Sequence, residues 1–220
     1  MSKHAFSDLR TAAYCPRQCY YRRQEDDRDP PPEVETRREL AFRYEELLDE
    51  ADLATEPIAV TPTQFRTNLS CAKARFDAFD ELCRPTERDV FLDGKECRGV
   101  AHKVLDLDPP VPSLVSAGSP PEDGVWHPQT VHAVAAAKAL AWERETPIER
   151  AFVEYPTYGT IREVRLTTRR KAAYRATVHV LDSIDGPPPR LANTEKCESC
   201  EYRGDCGVKT RSLRSLLGFG

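Results

Sequence analysis

The sequence predicts an α/β domain, a mixed central sheet flanked by helices, with a cysteine module near the C-terminus. Three observations carry this. Apolar periodicity runs in the order helix, strands, helix, strand pair, helix, an alternation that packs helices onto a sheet. Residues 127–144 read as a regular, alanine-rich helix with Pro128 in its first turn. Cys197, Cys200 and Cys206 follow C-x2-C-x5-C spacing, which marks metal ligands rather than packing thiols.

A chain of 220 residues supports one domain with a full core. Its expected organisation is one domain over 1–220: an N-terminal segment, 1–24, a core, 33–185, and a cysteine module with a basic tail, 190–220. Charged residues make up 31% and the formal net charge is -4, so a nucleic-acid partner requires a local basic face rather than a global field. No apolar run approaches the length of a membrane span, and Met1–Phe6 lacks the apolar stretch of a signal peptide. A cytoplasmic location is therefore expected, where clustered cysteines hold metal rather than form disulfides.

Residues 6–23 read as two short helices broken at Pro16, with Ser7 as a cap for the first. Arg10, Arg17, Arg22 and Arg23 interleave with Tyr14, Tyr20 and Tyr21, a pattern suited to phosphate contacts and base stacking. Residues 25–32 are a charged loop stopped by prolines. Residues 33–50 carry one apolar stripe, Leu40, Tyr44, Leu47 and Leu48, and predict a helix. Residues 56–82 are read as strand, turn and strand, and Val90–Lys95 as a further strand joined by a hairpin over 84–89. Residues 105–125 read as loop. Ala151–Tyr155 and Ile161–Leu166 form a hairpin turning at Gly159, and 168–184 the last helix.

Two groups of residues carry candidate chemistry. Asp93 and Lys95, two apart on a strand, leave the same face, and a hairpin brings Asp77 beside them. Two carboxylates and a carbonyl make a hard-oxygen site for Mg²⁺ or Mn²⁺, with Lys95 positioning a metal-activated water for attack on a phosphodiester. Cys197, Cys200 and Cys206 need a fourth ligand, and Cys15 in Tyr14-Cys15-Pro16-Arg17 supplies it, with Cys19 as its competitor. Such a centre ties the two ends of the chain together. Four thiolates suit zinc and a 4Fe-4S cluster equally. Cys71, Cys83 and Cys97 stand outside this frame. Arg169, Arg170, Lys171 and Arg175, with Lys209, Arg211 and Arg214 in the tail, are candidates for tracking phosphates.

The order Tyr14-Cys15-Pro16-Arg17, Ala74-Arg75-Phe76-Asp77, Asp93-Gly94-Lys95, Gln129 at a helix start, then Cys197, Cys200 and Cys206 resembles the CRISPR-associated exonucleases of the RecB-like, PD-(D/E)xK superfamily. The resemblance implies a restriction-endonuclease-like fold. It places Asp77, Asp93 and Lys95 at the catalytic positions, with Gln129 orienting substrate or Lys95, and Cys15, Cys197, Cys200 and Cys206 around a 4Fe-4S cluster. It also implies exonuclease action on single-stranded DNA ends and trimming of spacers beside CRISPR integrase proteins; Arg17, Arg169 and Arg170, from the basic patterns above, are the residues expected against the DNA. The chain departs from the pattern at Ala74, which replaces a glycine, and at Ala133, where a tyrosine is usual. The early helix lacks its metal-binding histidine, for which Glu45, then Glu39, is the substitute. A binding protein that keeps the fold and cluster without cutting is the alternative.

Overall fold

The computed structural model describes residues 3–25, 32–50, 52–192 and 195–207. In chain order the elements are β1 (His4–Ala5), α1 (Phe6–Tyr14), α2 (Pro16–Arg22), α3 (Pro32–Glu39), α4 (Tyr44–Asp49), α5 (Pro62–Arg75), α6 (Phe79–Cys83), β2 (Glu87–Asp93), β3 (Cys97–Leu105), β4 (Val111–Val115), α7 (His127–Glu143), β5 (Arg150–Tyr155), β6 (Thr160–Arg165), α8 (Thr168–Asp182) and α9 (Glu195–Glu198). The strands form one mixed six-stranded sheet among the described residues. β2, β3 and β4 are a run of antiparallel neighbours, β4 pairs parallel with β5, and β5 returns antiparallel as β6. β1 lies parallel against the start of β3.

Helices cover both faces. One apolar cluster joins Phe6, Leu9 and Ala12 of α1 with the Ala133–Ala137 run of α7 and Tyr174 of α8. The other packs Tyr44 and Leu47 of α4, Phe65 and Leu69 of α5, and Leu82 of α6 under Leu105 and Phe152. α7 is buried nearly all round, and small side chains let it approach the sheet closely. A Cβ built on Gly94 would lie 2.6 Å from the Ala139 Cα, so the β2–β3 turn requires glycine there. Gly159, at φ 59, closes the β5–β6 turn in the left-handed region that a β-carbon disfavours.

Three expected elements differ. The stretch 56–82 contains helices α5 and α6, not strands. Thr61 caps α5 by accepting from the Gln64 N–H, Pro62 occupies its first turn, and Phe65, Leu69 and Ala72 recur at helical spacing into the core. The partner of β2 is therefore β3. Within 105–125, β4 lies buried along its whole length in the middle of the sheet, so it shows no alternation. The helix expected over 33–50 is broken by a 3₁₀ turn at Leu40–Phe42.

That turn faces a buried polar cluster. Lys103 and Glu154, both fully buried, form an ion pair at 2.7 Å. The Lys103 ammonium also donates to the carbonyls of Ala41 and Leu82, and the Ser113 hydroxyl donates to Glu154. The Phe42 and Tyr44 rings lie 4.8 and 5.1 Å from the ammonium. Burial draws the lysine pKa down, and Glu154 opposes that shift.

Candidate functional site: a basic cleft beside four thiols

The four predicted catalytic positions lie in three places, Asp93 and Lys95 together at the β2–β3 turn and Asp77 and Gln129 apart from them. Asp77 sits in the turn between α5 and α6, 77% exposed, 3.5 Å from the Arg150 guanidinium. Asp93 ends β2, where it pairs with Lys3 at 2.8 Å and its N–H donates to Glu143. The sheet register separates these carboxylates. Asp93 is level with Arg98, whereas Arg150 is level with Val111 and hence with Leu105, at the other end of β3. At the rise of a strand this offset alone is on the order of 20 Å, far beyond what one ion bridges. Lys95 lies 5.9 Å from the Trp142 ring centroid, near the end of α7. Gln129 is in the first turn of that helix, about 20 Å away by helix rise.

The expected metal site is thus not assembled, because its premise was a strand at Asp77 and the chain is helical there. Glu45 is engaged by Arg84 at 2.8 Å, and Glu39 is exposed at the end of α3. No group of three or more His, Cys, Asp or Glu among the described residues is placed to hold a single metal ion.

Gln129 instead borders a cleft of about 680 Å³. One wall is Arg10, Tyr14, Gln18 and Arg22 from α1 and α2. The other is Gly118, Ser119 and the start of α7, where Trp126, His127 and Gln129 lie; Lys196 closes one side. Trp126, 48% exposed, is held by its indole N–H donating to the Ser119 carbonyl. Pro128 in the first turn and an extended N-cap at Trp126 start α7 at this point. Neither Arg10 nor Arg22 makes a side-chain hydrogen bond or ion pair among the described residues. Burial lowers the Arg10 pKa, and Arg22 and Arg38 lower it further, so the cleft concentrates uncompensated positive charge. Within the field of Arg10 and Arg38, His102 is neutral, its pKa pulled to about 3 by burial and then by Arg38, Arg10 and Lys103. Its Nδ1 accepts the Val115 N–H. His132 is depressed for the same reasons, burial first, then Arg10.

A second pocket adjoins the cleft and shares Tyr14, Gln18 and Lys196 with it. Cys15, Cys197, Cys200 and Cys206 all line it, and all four are free thiols. Cys15 is the extended link between α1 and α2, and Pro16 starts α2 there. Burial raises the Cys200 thiol pKa, and nearby Cys206, Cys15 and Cys197 raise it further. Cys19 turns away, its thiol on the Asp8 carbonyl inside the core. Cys71 is exposed on α5, while Cys83 and Cys97 are buried elsewhere. Contacts across this pocket hold the chain's early and late segments together. The Tyr21 and Tyr202 rings stack at 6.0 Å, Arg17 donates to the Pro188 carbonyl, and Tyr21 donates to that of Asp205.

Arg17 is therefore spent on the chain itself rather than on the cleft. Arg169 and Arg170 open α8, where the Arg170 guanidinium donates to the Arg165 carbonyl. Arg165 pairs with Arg150 at the start of β5, whereas Trp126 lies beside Tyr155 at its end. Lys209, Arg211 and Arg214 lie outside the described residues. The Arg–Tyr pattern of residues 10–22 pointed to this wall of the cleft. Trp126, Lys196 and Arg38 were not anticipated; the signal available was a tryptophan just before a proline-started helix. No protein-family model matches the chain, and no curated protein matches it.

Proposed function

We propose that this chain is a DNA-binding protein that grips single strands in the basic cleft without cutting them, and that Cys15, Cys197, Cys200 and Cys206 hold a 4Fe-4S cluster beside it. The observation that carries the reading is a cleft with unpaired Arg10 and Arg22, two aromatic faces, Tyr14 and Trp126, and no carboxylate among its described lining residues. Phosphates take the guanidinium groups and bases take the rings, the usual division of labour in single-strand binding. The mixed sheet with helices on its faces is the architecture expected of the restriction-endonuclease-like fold that the nuclease resemblance implies. The acids of that resemblance stand apart, which favours binding over hydrolysis.

The thiol set supplies the four ligands of the cluster that the nuclease resemblance implies. A cubane binds each thiolate to a different iron and so keeps the sulfurs further apart than one tetrahedral zinc does. Cys15, Cys197, Cys200 and Cys206 line one pocket, so the four thiolates that such a cluster requires are at hand. Held by these residues, the cluster would supply a covalent brace between the first helices and the late cysteine segment. This chain's residues do the rest: Tyr14 and Lys196, common to both pockets, transmit that brace to the cleft wall.

Fluorescence anisotropy with a labelled single strand tests the function. Binding is expected to weaken steeply with salt, as released counterions require, and Arg10→Gln/Arg22→Gln to cost at least about tenfold in affinity. No shortened product is expected with Mg²⁺ or Mn²⁺. Digestion that vanishes in Asp93→Ala would restore the nuclease reading. For the metal, anaerobically purified protein is expected to be brown, with about four irons per chain. Cys200→Ala is expected to bleach it and to speed proteolytic release of the segment after residue 185. A colourless, zinc-loaded chain would overturn the assignment.

A further inference from the structure

We propose that the notch between α5 and β6 is a second phosphate site, which holds the backbone of a strand as it leaves the cleft. The proposal rests on the DNA-binding reading above and lengthens the footprint of the same strand. Asn68 and Arg75, two turns apart on one face of α5, and Thr160 and Arg162 of β6 line a space of about 130 Å³. That is the volume of roughly four waters, room for one phosphate group and not for a whole nucleotide. Both arginines are short of partners. Arg162 gives one terminal nitrogen to the Glu122 carbonyl at 3.2 Å, while its Nε is buried with no hydrogen-bond partner. Arg75 rests on the Phe76 ring, 5.3 Å from its centroid, and makes no ion pair among the described residues. Their acidic neighbours in the chain are engaged elsewhere: Asp77 meets Arg150 at 3.5 Å and Glu163 meets Arg165 at 2.7 Å. No carboxylate is among the described lining residues. The Asn68 amide and the Thr160 hydroxyl both donate to the Tyr158 carbonyl and fix the floor. Two guanidinium groups, one with an unmatched donor, suit an anion that carries several acceptor oxygens.

The sheet places this notch at the same end of the molecule as the cleft. Val115 is level with Glu154 and Tyr155 with Thr160, so β4 and β5 end, and β6 starts, along one rim. From that rim the stretch 116–126 leaves β4 for α7. Gly118, Ser119 and Trp126 line the cleft, and between them lies Glu122, whose carbonyl Arg162 holds. A strand stacked on Trp126 has only this stretch to cross before it meets Arg162 and Arg75. Two strand spacings, roughly 10 Å, separate β4 from β6. Contacts to phosphate alone add affinity without choosing a sequence.

The test uses the full chain, labelled strands of about 4 and about 16 nucleotides, and inorganic phosphate. For the longer strand the slope of log affinity against log salt is expected to fall by about 0.7 in Arg75→Gln and about 1.4 in Arg75→Gln/Arg162→Gln. At about 0.1 M salt the first change is roughly a fivefold loss of affinity. The short strand, which the cleft alone can hold, is expected to bind both variants as it binds the parent. Equilibrium dialysis in Arg10→Gln/Arg22→Gln, where the cleft cannot contribute, is expected to show bound phosphate that a further Arg75→Gln weakens about tenfold. Acetate competing as well as phosphate would make the notch a carboxylate site and overturn the assignment. Phosphate bound there with unchanged strand slopes would make its ligand a free phosphate and overturn the longer footprint. Unchanged slopes and no bound phosphate would overturn the site while leaving DNA binding intact. No binding of either strand to the parent would instead refute the DNA-binding reading, and the dialysis alone would then decide the notch.

Discussion

Lys103→Met is expected to destabilise the protein by about 3–5 kcal/mol, the largest single-site effect, read as a lowered denaturation midpoint with unchanged slope. The substitution removes an ammonium that satisfies Glu154 and the Ala41 and Leu82 carbonyls together, all inside the fold. Glu154 is then left buried with only the Ser113 hydroxyl, and an uncompensated buried charge is costlier than the pair it came from. The double variant Lys103→Met/Glu154→Leu is expected to be more stable than the single one, because no charge remains. It should not regain parental stability, since the two carbonyls and Ser113 still lack partners. A single variant as stable as the parent would show that the pair contributes nothing.

Acidification is expected to remove stability through His102. Its folded pKa, about 3, lies below the ordinary 6.5 because burial comes first and Arg38, Arg10 and Lys103 add to it. Between those values the unfolded chain binds a proton that the folded chain refuses, so stability is full above about pH 6.5 and falls as pH drops towards 3. At roughly 1.4 kcal/mol per pKa unit the total, reached only near pH 3, is on the order of 5 kcal/mol. Denaturant midpoints measured from pH 7 to pH 4 check this against His102→Asn, whose side-chain oxygen still accepts the Val115 N–H. The variant should show a shallower decline, and identical slopes would sink the assignment.

Legibility followed the kind of signal each element carries. α7 and the β5–β6 hairpin were visible because Ala-rich regularity and alternation around Gly159 are local patterns. α5 was misread because Phe76, Ala78 and Asp80 mimic alternation, while the spacing of Phe65, Leu69 and Ala72 announces a helix whose capping begins at Thr61. β4 was invisible because a strand buried on both faces and flanked by Pro109 has no period to show. The meeting of Cys15 with Cys197, Cys200 and Cys206 in one pocket was legible at a distance because C-x2-C-x5-C sets three thiols close together and leaves a place for a fourth. Asp-x-Lys was not, since two residues flanking a hairpin turn do not say which chain segment faces them. Arg10 and Arg22 were readable singly, but their meeting from α1 and α2 on one wall of a cleft belongs to tertiary packing.

The parallel match of β4 with β5 is a seam. On one side lies the β2–β3–β4 run and on the other the β5–β6 hairpin, each assembled from neighbours in the chain. The seam closes only once the stretch from Ser116 to Glu149 has looped back, so assembly of the sheet has a late bottleneck set by that excursion. Until then Val111–Val115, destined for the interior, is an unguarded sticky edge, and misassociation of nascent chains should begin there.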